Sequence, residues 1–255
     1  MKLFFKKSGE GKPLMILHGL FGMSDNWSTL SKQFSEKGFL VYLIDLRNHG
    51  RSPHSDDFSF PVMSNDMLEL IDDERIESAA IIGHSMGAKT AMWLACEHPQ
   101  RVSRLLVADM APRYYTPHHQ SVIAAIHAVD LQHLTSRKEA ETILRESLRD
   151  EGTIQFLLKN LYWNEKEKLD WRFNISGIEK NISEMGIALP GHFRFTGKTL
   201  FLRGEKSGYI TEADHQDIVK HFPSAVIKTV PGAGHWIHAE NPTGFMDAAL
   251  PFLVD

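Results

Sequence analysis

Gly83-His84-Ser85-Met86-Gly87 is a G-x-S-x-G pentapeptide set between the apolar run Ala79-Ala80-Ile81-Ile82 and a helical stretch from Ala88 to about His98. A serine on a sharp strand-to-helix turn projects its hydroxyl above the sheet edge, and small flanking residues admit a close approach of backbones that side chains would block. Such a serine suits nucleophilic acyl transfer, given a base to take its proton, a carboxylate to orient the base and N–H donors for the developing oxyanion. As a bare pattern the pentapeptide also describes a tight turn that only packs. Its strand-turn-helix context favours the chemical reading.

The chain holds fourteen histidines, so the base is chosen by position. Pro231-Gly232-Ala233-Gly234-His235 follows the last strand-like run, Ala225 to Val230, and its glycines let the loop fold back toward the serine. An imidazole near its ordinary pKa of about 6.5 shuttles protons at neutral pH. His235 is the expected base and His238 a structural neighbour; a metal site built on the pair lacks a third ligand at recognisable spacing. Asp109, at the end of Arg104 to Ala108 and one strand past Ser85, is the expected acid, with Glu205 and Asp214 as alternatives. His18-Gly19-Leu20-Phe21-Gly22 follows the run Leu14 to Leu17 and is placed to offer a backbone N–H. Leu20 is the expected donor, with Phe21 as fallback, and the N–H of Met86 at the start of the helix is its partner.

The elements that position these groups are legible as short apolar runs separated by helical stretches, the pattern of a parallel sheet buried on both faces. Strands are predicted over Leu14 to Leu17, Phe39 to Leu46, Ala79 to Ile82, Arg104 to Ala108, Thr199 to Leu202 and Ala225 to Val230. Ser24 or Asp25 is expected to cap a helix closing near Gly38, and Asn241-Pro242 to open another. Between Asp109 and Thr199 the pattern is helical with no convincing strand, which reads as an inserted cap. Within it, Ser136-Arg137-Lys138-Glu139 matches a capping box ahead of a helix through Leu148. Trp163, Trp171 and Phe173 there either line an acyl pocket or form the core of the insertion.

Composition sets outer bounds. The 255 residues are 42% hydrophobic and 24% charged with a formal net charge of -4, ordinary for a globular enzyme and without the basic stripe a nucleic acid requires. Cys96 is the only cysteine, so neither an intrachain disulfide nor a cysteine metal cluster is available. Neither a signal peptide nor a membrane span is legible, and a cytoplasmic monomer or homodimer is expected.

With the Ser85 elbow, the His18-Gly19 loop, Asp45-Leu46-Arg47-Asn48-His49-Gly50-Arg51-Ser52 and Gly234-His235 in order, the chain resembles the α/β-hydrolase superfamily from end to end. His18 to Gly22, Arg47 to Gly50 and Asp109-Met110-Ala111-Pro112 are similar, more narrowly, to a subfamily of small bacterial esterases related to a mitochondrial abhydrolase. The resemblance implies an α/β fold with a mostly parallel central sheet flanked by helices and a helical cap inserted before the last two strands. Residues 1–111 and 191–255 would form the core and 112–190 the cap. It also implies action on small-molecule acyl esters, with acyl-CoA thioesters a further substrate class, without a cofactor. Phe21, His84 and Trp236 would border the substrate. Many family members carry the acid in the segment matching Arg203 to Ile210; here Gly208 stands in that place, which agrees with Asp109. Asp45 and Arg47 are read as loop-organising, and Arg113 either meets a CoA phosphate or is solvated charge. Cofactor-free perhydrolysis and carbon-carbon bond hydrolysis use the same constellation, and a ligand receptor without turnover is the alternative of another class.

Overall fold

The computed structural model describes residues 1–254. Its strands are β1 (Phe5–Ser8), β2 (Lys12–Leu17), β3 (Phe39–Ile44), β4 (Ala79–His84), β5 (Val102–Ala108), β6 (Leu161–Trp163), β7 (Leu169–Trp171), β8 (Thr199–Gly204) and β9 (Ala225–Val230). Seven of them form one sheet in the order β1-β3-β2-β4-β5-β8-β9, in which β1 runs antiparallel to β3 and every other pairing is parallel.

Successive residues of a strand point to opposite faces, so a sheet covered on both sides needs apolar residues at every position. In β2, Met15 and Leu17 join a hydrophobic cluster on one face, while Leu14 and Ile16 join the cluster on the other. The first face packs against α2 (Phe60–Asp73) and α3 (Met86–Glu97), and the second against α1 (Ser28–Ser35) and α10 (Pro242–Val254). β4 is buried along its whole length, and Ser85 follows directly from it. β1 was absent from the predicted strands. It is a four-residue edge strand with half-buried and exposed positions, and pairing with β3 makes it a strand where no period of its own does.

The insertion between β5 and β8 carries α4 (Gln120–Ala128), α5 (Arg137–Ser147), α6 (Glu151–Leu158) and α7 (Ile175–Lys180). It is not purely helical, as β6 and β7 form an antiparallel hairpin. Three residues per strand are too few for an alternation signal; the hairpin is closed by its turn, where Asn164 N–H donates to the Lys168 carbonyl at 2.8 Å. The Ser136 hydroxyl accepts from Glu139 N–H as the capping box predicts, although the Glu139 carboxylate reaches back to Thr135 N–H. At the other predicted cap, Ser24 and Asp25 lie inside a short 3-10 turn (Ser24–Trp27) ahead of α1 and neither side chain caps it, because the cap position falls on Met23, whose N–H donates to Asn26 Oδ1 at 2.7 Å. Gly38 closes the segment at φ 84°.

Lys89, on α3 and fully buried, donates to the carbonyls of Pro112 at 3.2 Å, Arg113 at 2.7 Å and Ile187, the points where the chain leaves and rejoins the sheet. The remaining helices, α8 (His215–His221) and α9 (Ile237–Glu240), flank β9. No helix among the described residues is long and apolar enough to cross a membrane.

Candidate active site

Ser85 sits between β4 and α3 at φ 52°, ψ -115°, a backbone conformation that side chains rarely adopt. The neighbouring glycines explain how the chain reaches it. A Cβ at Gly83 would lie 2.4 Å from the Gly87 carbonyl oxygen, and one at Gly87 would lie 2.6 Å from the carbonyl oxygens of Leu17 and His18. The turn therefore closes only with both glycines, and it brings Ser85 against the loop after β2. Ser85 N–H is held by the Ala108 carbonyl at 3.2 Å.

Asp109 follows β5, is fully buried and sits at φ 53°. Its Oδ1 accepts Gly204 N–H at 3.0 Å; its Oδ2 accepts His235 Nδ1–H at 2.8 Å and the Ser207 hydroxyl. A carboxylate on Nδ1 selects the tautomer that leaves Nε2 free as an acceptor. The Tyr209 ring stacks on the His235 imidazole at 3.7 Å and 14°, and His84 Nε2 donates to the His235 carbonyl at 2.9 Å. The two competing carboxylates are engaged elsewhere: Glu205 accepts Gly232 N–H, and Asp214 pairs with Arg113 at 2.7 Å and caps Thr211. Arg113 is thus a paired charge lying over the Tyr115 ring.

Ser85 and His235 line one cavity of about 190 Å³. No hydrogen bond joins the Ser85 hydroxyl to the imidazole among the described residues; such contacts tighten when substrate binds. Leu20 and Met86 also lie at this centre, and their N–H groups have no protein acceptor among the described residues. Phe21, the fallback donor, is ruled out by geometry because its N–H is taken by His49 Nε2 at 3.0 Å. The peptide plane that aims Leu20 N–H is fixed through its carbonyl end, where Gly19 O accepts His18 Nδ1–H at 2.8 Å and Gly22 N–H at 2.9 Å. Asp45 holds the next loop by accepting from Ser24 and Arg51 N–H, and Arg47 forms a bidentate pair with buried Asp66, so both organise loops as expected.

Phe21, His84 and Trp236 all border the cavity. Trp163, Trp171 and Phe173 do not: Trp171 and Phe173 stack at 5.1 Å inside the insertion, and Trp163 is half exposed. The roof comes instead from Val122 of α4, Thr153, Phe156 and Leu157 of α6, and His118 and His119 ahead of α4. None carries a sequence signal, since each is one face of an amphipathic helix or a loop whose direction depends on how the insertion docks.

Burial keeps several rings neutral. It lowers the pKa of His18, His49 and His84, takes His119 down to about 4, and takes His238, stacked on Trp27 at 4.0 Å, down to about 3. The unfolded chain protonates these rings from about pH 6.5 downward while the native state does not, so their contribution to stability is complete above that pH and is lost as pH falls toward 3. Urea midpoints are expected to drop steadily between pH 7 and 4, with a shallower drop in His238→Phe. Parallel slopes for the two proteins would refute the assignment of this acid lability to buried neutral histidine.

Residues 12–242 match the α/β-hydrolase fold family. The chain belongs to that family. Among curated α/β-hydrolase relatives, the sn-1-specific diacylglycerol lipase ABHD11 of Mus musculus is 39% identical, over 94% of this chain and 80% of its own. Esterase YbfF of Escherichia coli (strain K12) is 34% identical, over 96% of this chain and 94% of its own. Among solved α/β-hydrolase structures, a marine microorganism esterase superposes with a TM-score of 0.96 at 45% identity, covering 99% of this chain and all of that one.

Proposed function

We propose that this α/β-hydrolase is a serine hydrolase that cleaves carboxylic esters or acyl thioesters through an acyl-enzyme. The observation that carries the reading is the 2.8 Å contact of His235 Nδ1 with fully buried Asp109, in a cavity that the strained Ser85 also lines. The names of the relatives, a diacylglycerol lipase and two esterases, support the ester-cleaving class.

In this mechanism Ser85 Oγ attacks the acyl carbonyl as His235 Nε2 takes its proton, and the Asp109 carboxylate stabilises the imidazolium through Nδ1. The negative oxygen forms where Leu20 N–H and Met86 N–H converge, and fixed donors lower the barrier because they need no reorganisation as charge develops. Collapse expels the alcohol or thiol, which receives the proton from Nε2. Water then attacks the acyl-enzyme with His235 again as base, and the released acid restores Ser85. Neutral His84, in ring contact with His235 at 4.7 Å, adds no positive charge against the imidazolium. Each proton transfer and bond exchange is completed by these side chains and water, so the sequence calls for no cofactor.

A fluorophosphonate probe tests the assignment of the nucleophile, and a panel of p-nitrophenyl esters and acyl-CoAs of graded length tests turnover. Wild type should label and turn over, while Ser85→Ala should do neither. Labelling that persists in Ser85→Ala would refute the nucleophile, and labelling of wild type without turnover of any panel member would favour a receptor.

A further inference from the structure

We infer that Asn160 is a positioning residue through which the inserted segment sets the oxyanion hole. The inference rests on the assignment of Leu20 N–H as an oxyanion donor and adds a residue from the opposite side of the cavity to it.

Asn160 follows α6 and is fully buried. Its Nδ2 donates to the Phe21 carbonyl at 2.8 Å and to the Phe156 carbonyl at 3.3 Å. Both partners are acceptors, so only the amide nitrogen can serve them. Its Oδ1 is buried without a partner among the described residues, a desolvation cost that an aliphatic side chain of similar size avoids. A polar residue held there at a loss points to use of its donor. The backbone of Asn160 is itself anchored, with its N–H on the Leu157 carbonyl and its carbonyl accepting Arg172 N–H at 3.0 Å. The side chain therefore extends from a fixed point of the insertion to the loop after β2.

That loop needs holding. Phe21 sits at φ 58°, a strained conformation for a residue with a side chain that persists only where surroundings over-determine it. His49 holds its N–H from the core, and Phe173, from the insertion, packs on its ring at 5.2 Å. Asn160 alone holds its carbonyl among the described residues. The Phe21 peptides lie one residue from the Leu20 N–H, so freeing this carbonyl lets the residue relax toward negative φ and swings the donor off the cavity. Docking of the insertion and assembly of the oxyanion hole thus become one event.

Asn160→Leu removes the donor while filling the space. It should lower kcat for a p-nitrophenyl ester about 10- to 100-fold with KM nearly unchanged, the range a misplacement of about 1 Å produces. Asn160→Asp adds a readout that a purely structural role would not move. Its protonated carboxyl donates to the Phe21 carbonyl and its ionised form does not, so the ratio of variant to wild-type kcat should fall as pH rises from 6 to 9. The wild-type contact has no titrating group of its own in that range, since burial keeps His49 and His119 neutral. A folded Asn160→Leu protein with wild-type kcat would overturn the inference, and if that variant does not fold, a pH-independent ratio for Asn160→Asp would do so. Labelling of wild type by the fluorophosphonate, with loss in Ser85→Ala, separates these outcomes from failure of the nucleophile assignment.

Discussion

Ser85→Ala is expected to lower kcat on any ester this protein hydrolyses by about 10⁴- to 10⁶-fold while leaving KM within a few-fold of wild type. In the proposed mechanism the hydroxyl at the elbow is the nucleophile, set in the cavity that Leu20 and His235 also line. A loss of 10⁶ corresponds to about 8 kcal/mol of transition-state stabilisation. Residual activity above the uncatalysed rate should survive, because the oxyanion donors and the cavity remain and can still assist attack by water. Single-turnover kinetics with a chromogenic ester would measure it, and retention of more than a tenth of wild-type kcat would place the chemistry elsewhere.

Asp109→Asn should cost about 10⁴-fold in kcat, although the side chains have the same shape. The carboxylate accepts on both oxygens, from Gly204 N–H on one and from His235 and Ser207 on the other. An amide must present its NH₂ to one of these donors. Facing Gly204 it is repelled; facing His235 it forces the proton onto Nε2 and leaves no base for the serine. A second substitution makes the test specific: a Cβ at Gly208 meets nothing within 4 Å, so Gly208→Asp has open space, in the segment where the family resemblance places an acid. In the Asp109→Asn background it should return part of the lost kcat and do nothing for Ser85→Ala. An Asp109→Asn enzyme within tenfold of wild type would remove this residue from the mechanism.

The two glycine-flanked loops were legible because their chemistry is local. Gly83 and Gly87 mark a turn that admits no side chain, and Gly232 and Gly234 precede a histidine on a loop after a strand; residue type and spacing carry that information without contacts. Asp109 was legible for a topological reason, since it ends a strand adjacent to the one bearing Ser85. The sequence already put it ahead of Glu205 and Asp214, and the tertiary structure shows those two bound to Gly232 and Arg113. At the loop after β2 the sequence favours Leu20 over Phe21 as donor, and the distant His49, folded against Phe21 N–H, engages the latter.

By itself the amino-acid sequence determined the alternation of strands and helices, the glycine-flanked turn at Ser85, and the places of Asp109 and His235 just after their strands, because these depend on periodicities and turns spanning a few residues. Only the tertiary structure decided the edge strand β1, the β6–β7 hairpin, the roof residues Val122, Phe156 and Leu157, the Tyr209 stack on His235 and the reach of Asn160 to Phe21. Each of these joins segments far apart in the chain, and their energies come from pairing and burial against a partner that no local pattern names.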